Sequence, residues 1–230
     1  MRQIIAGSAT AGVVISLCAY YAGMILKKKT GLALFNPLLL SVVFVIAFLS
    51  LFQIDYDSYL NSAEYLSYLL TPATVSLAIP LYKQLETLKK NVAAIAAGIG
   101  AGVLTSLSSV LLMSRAFRLS HEEYVTLLPK SITTAIGMGV SEELGGCVTI
   151  TVAVIIVTGI LGNMTAEFLC RICRLRSVVS RGLAIGAASH AIGTAKAMEM
   201  GEEEGAMSSL AIVMSGLCTV IGATVFAGFY

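Results

Sequence analysis

The sequence predicts an all-α polytopic membrane protein, and three observations carry that prediction. Of the 230 residues, 57% are hydrophobic and only 12% are charged, where a water-soluble domain carries about 25% charged residues. Mean hydropathy is +0.88. The charges are also gathered into short clusters, leaving residues 3–26, 30–54, 65–82, 91–114, 144–166 and 205–230 without Asp, Glu, Lys or Arg. A helix needs roughly 20 mainly apolar residues to cross the hydrocarbon core. Five of the six runs reach that length and 65–82 is marginal. In lipid every backbone N–H and C=O must be satisfied internally, so helix is the default form. The alternating segments of about ten residues that mark a β-barrel do not occur.

Taken in order, the first run is too long for a signal peptide. It has only Arg2 ahead of it, and Lys27-Lys28-Lys29 close it as a stop-transfer signal. Asn36-Pro37 opens the second run with a capping side chain followed by a residue suited to the first helical turn. Two further apolar stretches are interrupted: 122–141 by Pro129 and Lys130, and 181–199 by His190 and Lys196. The total is seven to eight transmembrane segments, some of which need not span fully. They form a single membrane domain over 1–230, with the first two spans in 1–60 and broken helices paired with spans in 61–230.

Basic loops face the cytoplasm. Lys27 to Lys29 and Lys83, Lys89 and Lys90 mark two such loops, while Asp55, Asp57 and Glu64 lie between them without a cation. This sets the N-terminus outside, 27–31 inside, 55–64 outside and 83–90 inside. If 122–141 crosses, Arg171, Arg174, Arg176 and Arg181 fall outside. If it dips in and returns, they fall inside and Glu202-Glu203-Glu204 outside. The sequence leans to the second arrangement, although Arg115 and Arg118 are then on the wrong side.

An internal echo runs through the interruptions. Ser76-Leu77-Ala78-Ile79-Pro80 is matched by Thr133-Thr134-Ala135-Ile136-Gly137, 57 residues on, and by Ser189-His190-Ala191-Ile192-Gly193, 56 residues after that. Pro72 and Pro129 repeat at the same spacing of 57. Ala and Ile are abundant, so chance is one reading. The other is a repeated unit of a broken helix followed by a continuous one, giving internal repeats in which an inverted arrangement is open. Breaks matter because non-helical backbone at membrane depth survives only beside protein or water. Half-helix N-termini there offer N–H donors and a positive dipole end to anions.

Three breaks are candidates for a substrate site. Thr71-Pro72-Ala73-Thr74 with Pro80 is one, with an ordinary Pro-kinked span as the alternative. In Pro129-Lys130-Ser131-Ile132-Thr133-Thr134 a cation stands beside three hydroxyls, a composition suited to a carboxylate or phosphate. The alternative is an interfacial lysine that snorkels to water. In Ser189-His190-Ala191-Ile192-Gly193-Thr194-Ala195-Lys196, two ionisable groups flank hydroxyls inside an apolar segment. Such groups usually face a cavity, and His190 is suited to carry a proton. A neutral His hydrogen-bonded in the core is the competing reading. Five cysteines sit mostly in apolar runs and read as packing residues; Cys170-Arg171-Ile172-Cys173 alone is a weak zinc pattern. No cofactor, metal or nucleic-acid partner is expected. Nor is enzymatic activity, since Ser189 and His190 are adjacent and do not face each other on a helix.

These stretches resemble the LrgB/CidB family of bacterial membrane proteins. The resemblance is carried by Asn36-Pro37-Leu38-Leu39, by residues 69–82 and 128–134, and by Thr158-Gly159-Ile160-Leu161-Gly162. Arg181-Gly182-Leu183-Ala184, residues 189–196 and 201–206, and Ser208-Ser209-Leu210-Ala211 belong to it as well. A plant plastid glycolate/glycerate translocator contains a similar region. Two stretches depart from the family pattern: Ala135 and Gly137 stand where Pro and Ala are usual, and Ala191 and Lys196 where Gly and Arg are usual. A lysine keeps the charge but loses the bidentate fork. The resemblance implies transport of small monocarboxylates of the glycolate, pyruvate or lactate type, and the breaks with Lys130, His190 and Lys196 add the expectation of proton coupling. The resemblance equally implies an antiholin-like role tied to murein hydrolase regulation and autolysis, in the bacterial cytoplasmic membrane. It further implies a homo-oligomer and a small LrgA/CidA-type membrane partner.

Overall fold

The computed structural model describes residues 8, 10–30, 35–76 and 78–230, which form helices and no strand. Two compact units result, Met1–Ser76 and Leu77–Tyr230.

The first unit is built on α1 (Ala11–Thr30) and α2 (Pro37–Leu51), followed by three short helices, α3 (Tyr56–Ser62), α4 (Glu64–Tyr68) and α5 (Leu70–Ser76). Lys27, Lys28 and Lys29 occupy the last turn of α1, where the helix dipole favours cations. The Asn36 side chain accepts from the Leu38 amide at 2.9 Å, so the expected cap at Asn36-Pro37 is present. The Gly12 amide donates to Ser62 Oγ at 3.0 Å, and Ser16 and Tyr59 share a 2.7 Å hydrogen bond, which ties α1 to α3.

The second unit contains α6 (Ala78–Lys83), α7 (Leu85–Lys90), α8 (Val92–Phe117), α9 (His121–Leu127), α10 (Thr134–Glu143), α11 (Val148–Ile172), α12 (Val178–Met200) and α13 (Glu202–Ala227). Helix α8 shows how sequence periodicity sets the packing. Its buried residues Ile95, Ile99, Val103, Leu107, Val110 and Ser114 recur every three or four positions along one face. That stripe joins a core with Tyr124, Val125, Leu128, Ile132, Met207 and Ala211.

Among the described residues, four helices are long and apolar enough to cross a membrane: α1, α8, α11 and α13. They correspond to four of the five long uncharged runs. The fifth, 30–54, yields the 15-residue α2, about 22 Å long at 1.5 Å per residue. The marginal run 65–82 breaks into the short helices α4, α5 and α6.

The interrupted segments fold back on themselves. Residues 121–147 leave and return: the Cys147 amide donates to Thr126 Oγ1 at 2.8 Å, joining positions 21 apart in sequence. Thr151 of α11 fastens both limbs, its hydroxyl lying 2.9 Å from the Thr126 carbonyl oxygen and 2.7 Å from Ser141 Oγ. Between the limbs, residues 128–133 form a non-helical turn. Gly145 closes the return at φ +79°, a left-handed conformation that glycine adopts without a steric cost.

Helix α12 does the same. Ser189 (φ −135°, ψ 18°) and His190 (φ 42°, ψ −141°) leave the helical conformation. The limbs on either side then lie against the same turns of α13. A Cβ at Gly186 on the outgoing limb would stand 2.8 Å from Ser208 Oγ, while Thr194 on the returning limb bonds that same hydroxyl at 2.7 Å. One turn further out, Gly182 abuts Glu204 and Met207 on the outgoing limb, and Met198 abuts Gly205 on the return. Segment 181–199 is therefore a hairpin, and both its ends lie together.

This corrects one part of the charge-based topology. Lys83 pairs with Glu202 at 3.1 Å and Arg181 with Glu204 at 2.7 Å. The triple-Glu cluster thus shares an end of the unit with 83–90 and 171–181, where the sequence reading placed it opposite. Charge counting assumed that 181–199 crosses; the turn at Ser189-His190 cancels that crossing. At the other end, Arg115 donates to the Phe229 carbonyl at 2.7 Å and Tyr124 Oη to the Phe226 carbonyl at 2.8 Å, joining the start of the first hairpin to the C-terminus of α13. The two hairpins thus enter the unit from opposite ends.

Candidate functional site

The tips of the two hairpins converge on α11, and a cleft lies between the first tip, α8 and the outgoing limb of α12. Ile155, fully buried, touches both: its side chain fills the space a Cβ would take at Gly137, and its carbonyl oxygen accepts a 2.9 Å hydrogen bond from His190 Nε2. The cleft, about 450 Å³, is bounded by α8 (Gly98 to Ser109), by Lys130 and Ser131 at the first tip, and by Leu183 to Ala188 on the outgoing limb of α12.

The chemistry of the cleft lies on one side. Lys130 Nζ donates to Ser131 Oγ at 3.0 Å, and Ser131 pairs with Ser106 of α8 at 3.1 Å. Thr105 and Ser109 add two further hydroxyls to the wall. The opposite wall is apolar and small, with Ala184, Ala187 and Ala188, and Gly98 and Gly102 keep α8 thin where it faces them. Among the described residues lining this cleft, Lys130 alone is ionisable. An ammonium with three donor hydrogens inside a ring of hydroxyls can take a carboxylate oxygen on the charge and a second polar atom on the hydroxyls.

Thr133 and Thr134 stand at the start of α10, half-buried, with Thr133 in the capping position but without a side-chain capping bond. The amide groups of the first turn of α10 therefore open toward the tip, where a helix presents its positive end.

The polar residues of the second tip are used differently. Ser189 Oγ donates to the Ile185 carbonyl at 2.7 Å. His190, 3% exposed, donates from Nε2 to the Ile155 carbonyl, which fixes its tautomer in the neutral ring. Thr194 bonds the His190 carbonyl at 2.9 Å as well as Ser208. Gly193 gives Ser189 room: a Cβ there would fall 2.7 Å from the Ser189 Cβ. These four residues hold the turn of the hairpin and face α11 and α13, away from the cleft. Lys196 stands apart near the hairpin's open end, paired with Glu167 at 2.7 Å and Glu199 at 3.1 Å. Of the candidates read from sequence, the structure brings Lys130 and Ser131 into the cleft and sets Thr133 and Thr134 beside them. The side chains of Thr71 and Thr74 lie outside the described residues.

Two groups were given no role at the site by the sequence reading. One is the hydroxyl run Thr105, Ser106 and Ser109, whose signal is a polar cluster in the middle of an uncharged span. The other is Gly159 and Gly162 on α11. A Cβ at Gly159 would stand 2.6 Å from His190 Cε1, and one at Gly162 would stand 2.5 Å from Ser189 Oγ. These two glycines form the seat into which the second tip packs, the close backbone approach that small residues allow between membrane helices. The Asn163 side chain completes it, donating to the Ile192 carbonyl at 2.8 Å.

The model of the LrgB-like family matches residues 16–229. The chain is 39% identical to a holin-like protein CidB of Staphylococcus aureus over 209 residues, 91% of each chain. It is 38% identical to an antiholin-like protein LrgB of Bacillus subtilis over 216 residues, 94% of each chain. A second protein of Bacillus subtilis, the uncharacterized YxaC, is 34% identical over 210 residues. No solved structure matches.

Proposed function

Since the chain belongs to the LrgB-like family, we propose that this membrane protein is a secondary transporter of small monocarboxylates of the glycolate, pyruvate or lactate type. One observation carries the reading. A lone lysine, Lys130, sits with Ser131 and Ser106 in a cleft between two hairpins that enter from opposite ends. Re-entrant backbone with polar tips is costly in lipid unless it lines a cavity. A cavity with one cation and several hydroxyls selects a small anion rather than a neutral or cationic solute. A volume of about 450 Å³ suits an acid of a few carbons, given that ligand sites span about 300–1,000 Å³.

The proposed membrane arrangement follows from the same geometry. Hairpin 121–147 with α11 and hairpin 178–200 with α13 form two units of opposite orientation, each a broken segment followed by a span, as inverted-repeat transporters are built. The clusters at 83–90 and 171–181 lie on the cytoplasmic side of a bacterial cytoplasmic membrane crossed several times. A homo-oligomer and an LrgA/CidA-type partner belong to the same proposal.

The test is uptake of labelled glycolate, pyruvate or lactate into proteoliposomes. Saturable uptake is expected, reduced at least about tenfold in Lys130→Gln, in line with loss of a charge-assisted contact worth roughly 1.5–3 kcal/mol. Uptake that rises linearly with concentration and ignores Lys130→Gln overturns the proposal. That outcome would favour a second reading, which rests on the names of the relatives: a holin-like or antiholin-like oligomer that modulates permeability and autolysis. Such an assembly leaks dyes unrelated to carboxylates, and murein hydrolase activity tracks its abundance.

A further inference from the structure

A half-buried cation that binds an anion raises a question when the anion leaves, because an uncompensated charge at membrane depth is costly. Among the described residues, no acidic side chain lines the cleft to take over as counter-ion. The charges on the elements around Lys130 are all committed or distant. On α8, Arg115 lies near the far end and donates to the Phe229 carbonyl. On α9 and α10, Glu122, Glu123, Glu142 and Glu143 are exposed at the mouth of the first hairpin. On α12, Arg181 is held by Glu204 and Lys196 by Glu167 and Glu199. His190 is turned away, bonded to Ile155.

We infer that Lys130 is the coupling group: it takes up one proton as the monocarboxylate binds and releases it when the acid departs. The loaded site is then an ammonium–carboxylate pair and the empty site a free amine, and both are neutral. One proton moves with each monocarboxylate, no net charge crosses, and the proton passes to water on the side where the carboxylate leaves. This rests on the transport reading above and adds to it the identity of the proton carrier. Arginine cannot perform the same role, because a guanidinium keeps its proton.

The experiment compares wild type with Lys130→Arg in proteoliposomes, measuring both net uptake and exchange of labelled for unlabelled glycolate, with a lumenal pH dye. In wild type, an inward proton gradient drives accumulation, and the lumen gains one proton per acid. In Lys130→Arg the loaded site stays neutral, so exchange persists within about threefold. The empty site stays charged, so net uptake falls at least about tenfold. Net uptake by Lys130→Arg equal to wild type overturns the inference. Should that variant fail to fold, proton uptake on glycolate binding to detergent-solubilised wild type decides: about one proton bound per acid at alkaline pH supports it, and none overturns it. A wild type without saturable uptake fails on the transport reading itself, which separates the two failures.

Discussion

Gly186→Ala is the substitution for which the structure gives the clearest magnitude. The added methyl would meet the Ser208 carbonyl oxygen, the Ala211 Cβ at 2.8 Å and Ser208 Oγ at 2.8 Å. Carbon–carbon contact is comfortable at about 3.5 Å, so the outgoing limb of α12 must retreat roughly 0.7 Å. One of the obstructing groups is backbone of α13 and cannot rotate aside. Overpacking of this kind costs about 1–3 kcal/mol, against a helix-propensity gain of up to about 1 kcal/mol for Gly→Ala. The net loss is about 1–2 kcal/mol, or roughly 2–8 °C in Tm for a chain of this size. Gly139→Ala is the matched control: nothing stands within 4 Å of its Cβ, so the propensity gain remains and Tm is unchanged or rises a few degrees. Thermal unfolding of the detergent-purified protein reads both. If Gly186→Ala were as stable as wild type, or if Gly139→Ala were the more damaging of the two, the close seating of the hairpin on α13 would be wrong.

Three other outcomes follow from single residues. His190 combines a φ of 42° with a hydrogen bond to Ile155; His190→Ala loses the bond and keeps the strain, whereas His190→Gly relieves it. The glycine variant should therefore unfold the higher of the two in temperature, by about 1–3 kcal/mol of backbone strain, and equal melting points would argue against the turn. Ser106→Ala removes the hydroxyl that pairs with Ser131 and should weaken glycolate uptake about fivefold through loss of roughly 1 kcal/mol; no change in half-saturating concentration would separate α8 from the site. Lys196→Ala breaks pairs whose acidic partners are more than half exposed, so stability should shift by less than about 1 kcal/mol and half-saturation should hold. A collapse of uptake there would bring the returning limb of α12 into the site.

The long apolar helices were legible because their signal is simple: four of the five runs of twenty or more residues without charge become α1, α8, α11 and α13, and the fifth becomes the shorter α2. The cap at Asn36 was legible for the same local reason. The interruptions at Pro129-Lys130 and at Ser189-His190 were visible as polar and Pro or Gly residues in apolar stretches, and both prove to be turns. The direction after each turn was not visible. A hairpin and a crossing have the same composition, and what selects the hairpin is packing between distant residues: Gly182 and Gly186 against α13, and Gly159 and Gly162 against Ser189 and His190. The same limit misassigned the side of Glu202 and Glu204. Hydroxyl and ionisable residues at the second tip looked like substrate ligands, yet hydrogen bonds to Ile185, Ile155 and Ser208 occupy them. Lys130 kept its candidacy because it donates to Ser131, which itself faces the cleft.

The account depends most on the two hairpins entering from opposite ends, and side-specific thiol labelling in sealed vesicles tests that directly. Single cysteines at Arg176, Glu203, Arg118 and Glu143, all exposed positions, in a background without native cysteine, are exposed to a membrane-impermeant maleimide from each side. Arg176→Cys and Glu203→Cys should label from one and the same side, and Arg118→Cys and Glu143→Cys from the other. Labelling of positions 176 and 203 from opposite sides would mean that 178–200 crosses the bilayer, and the cleft between the first tip and the outgoing limb of α12 would be contradicted.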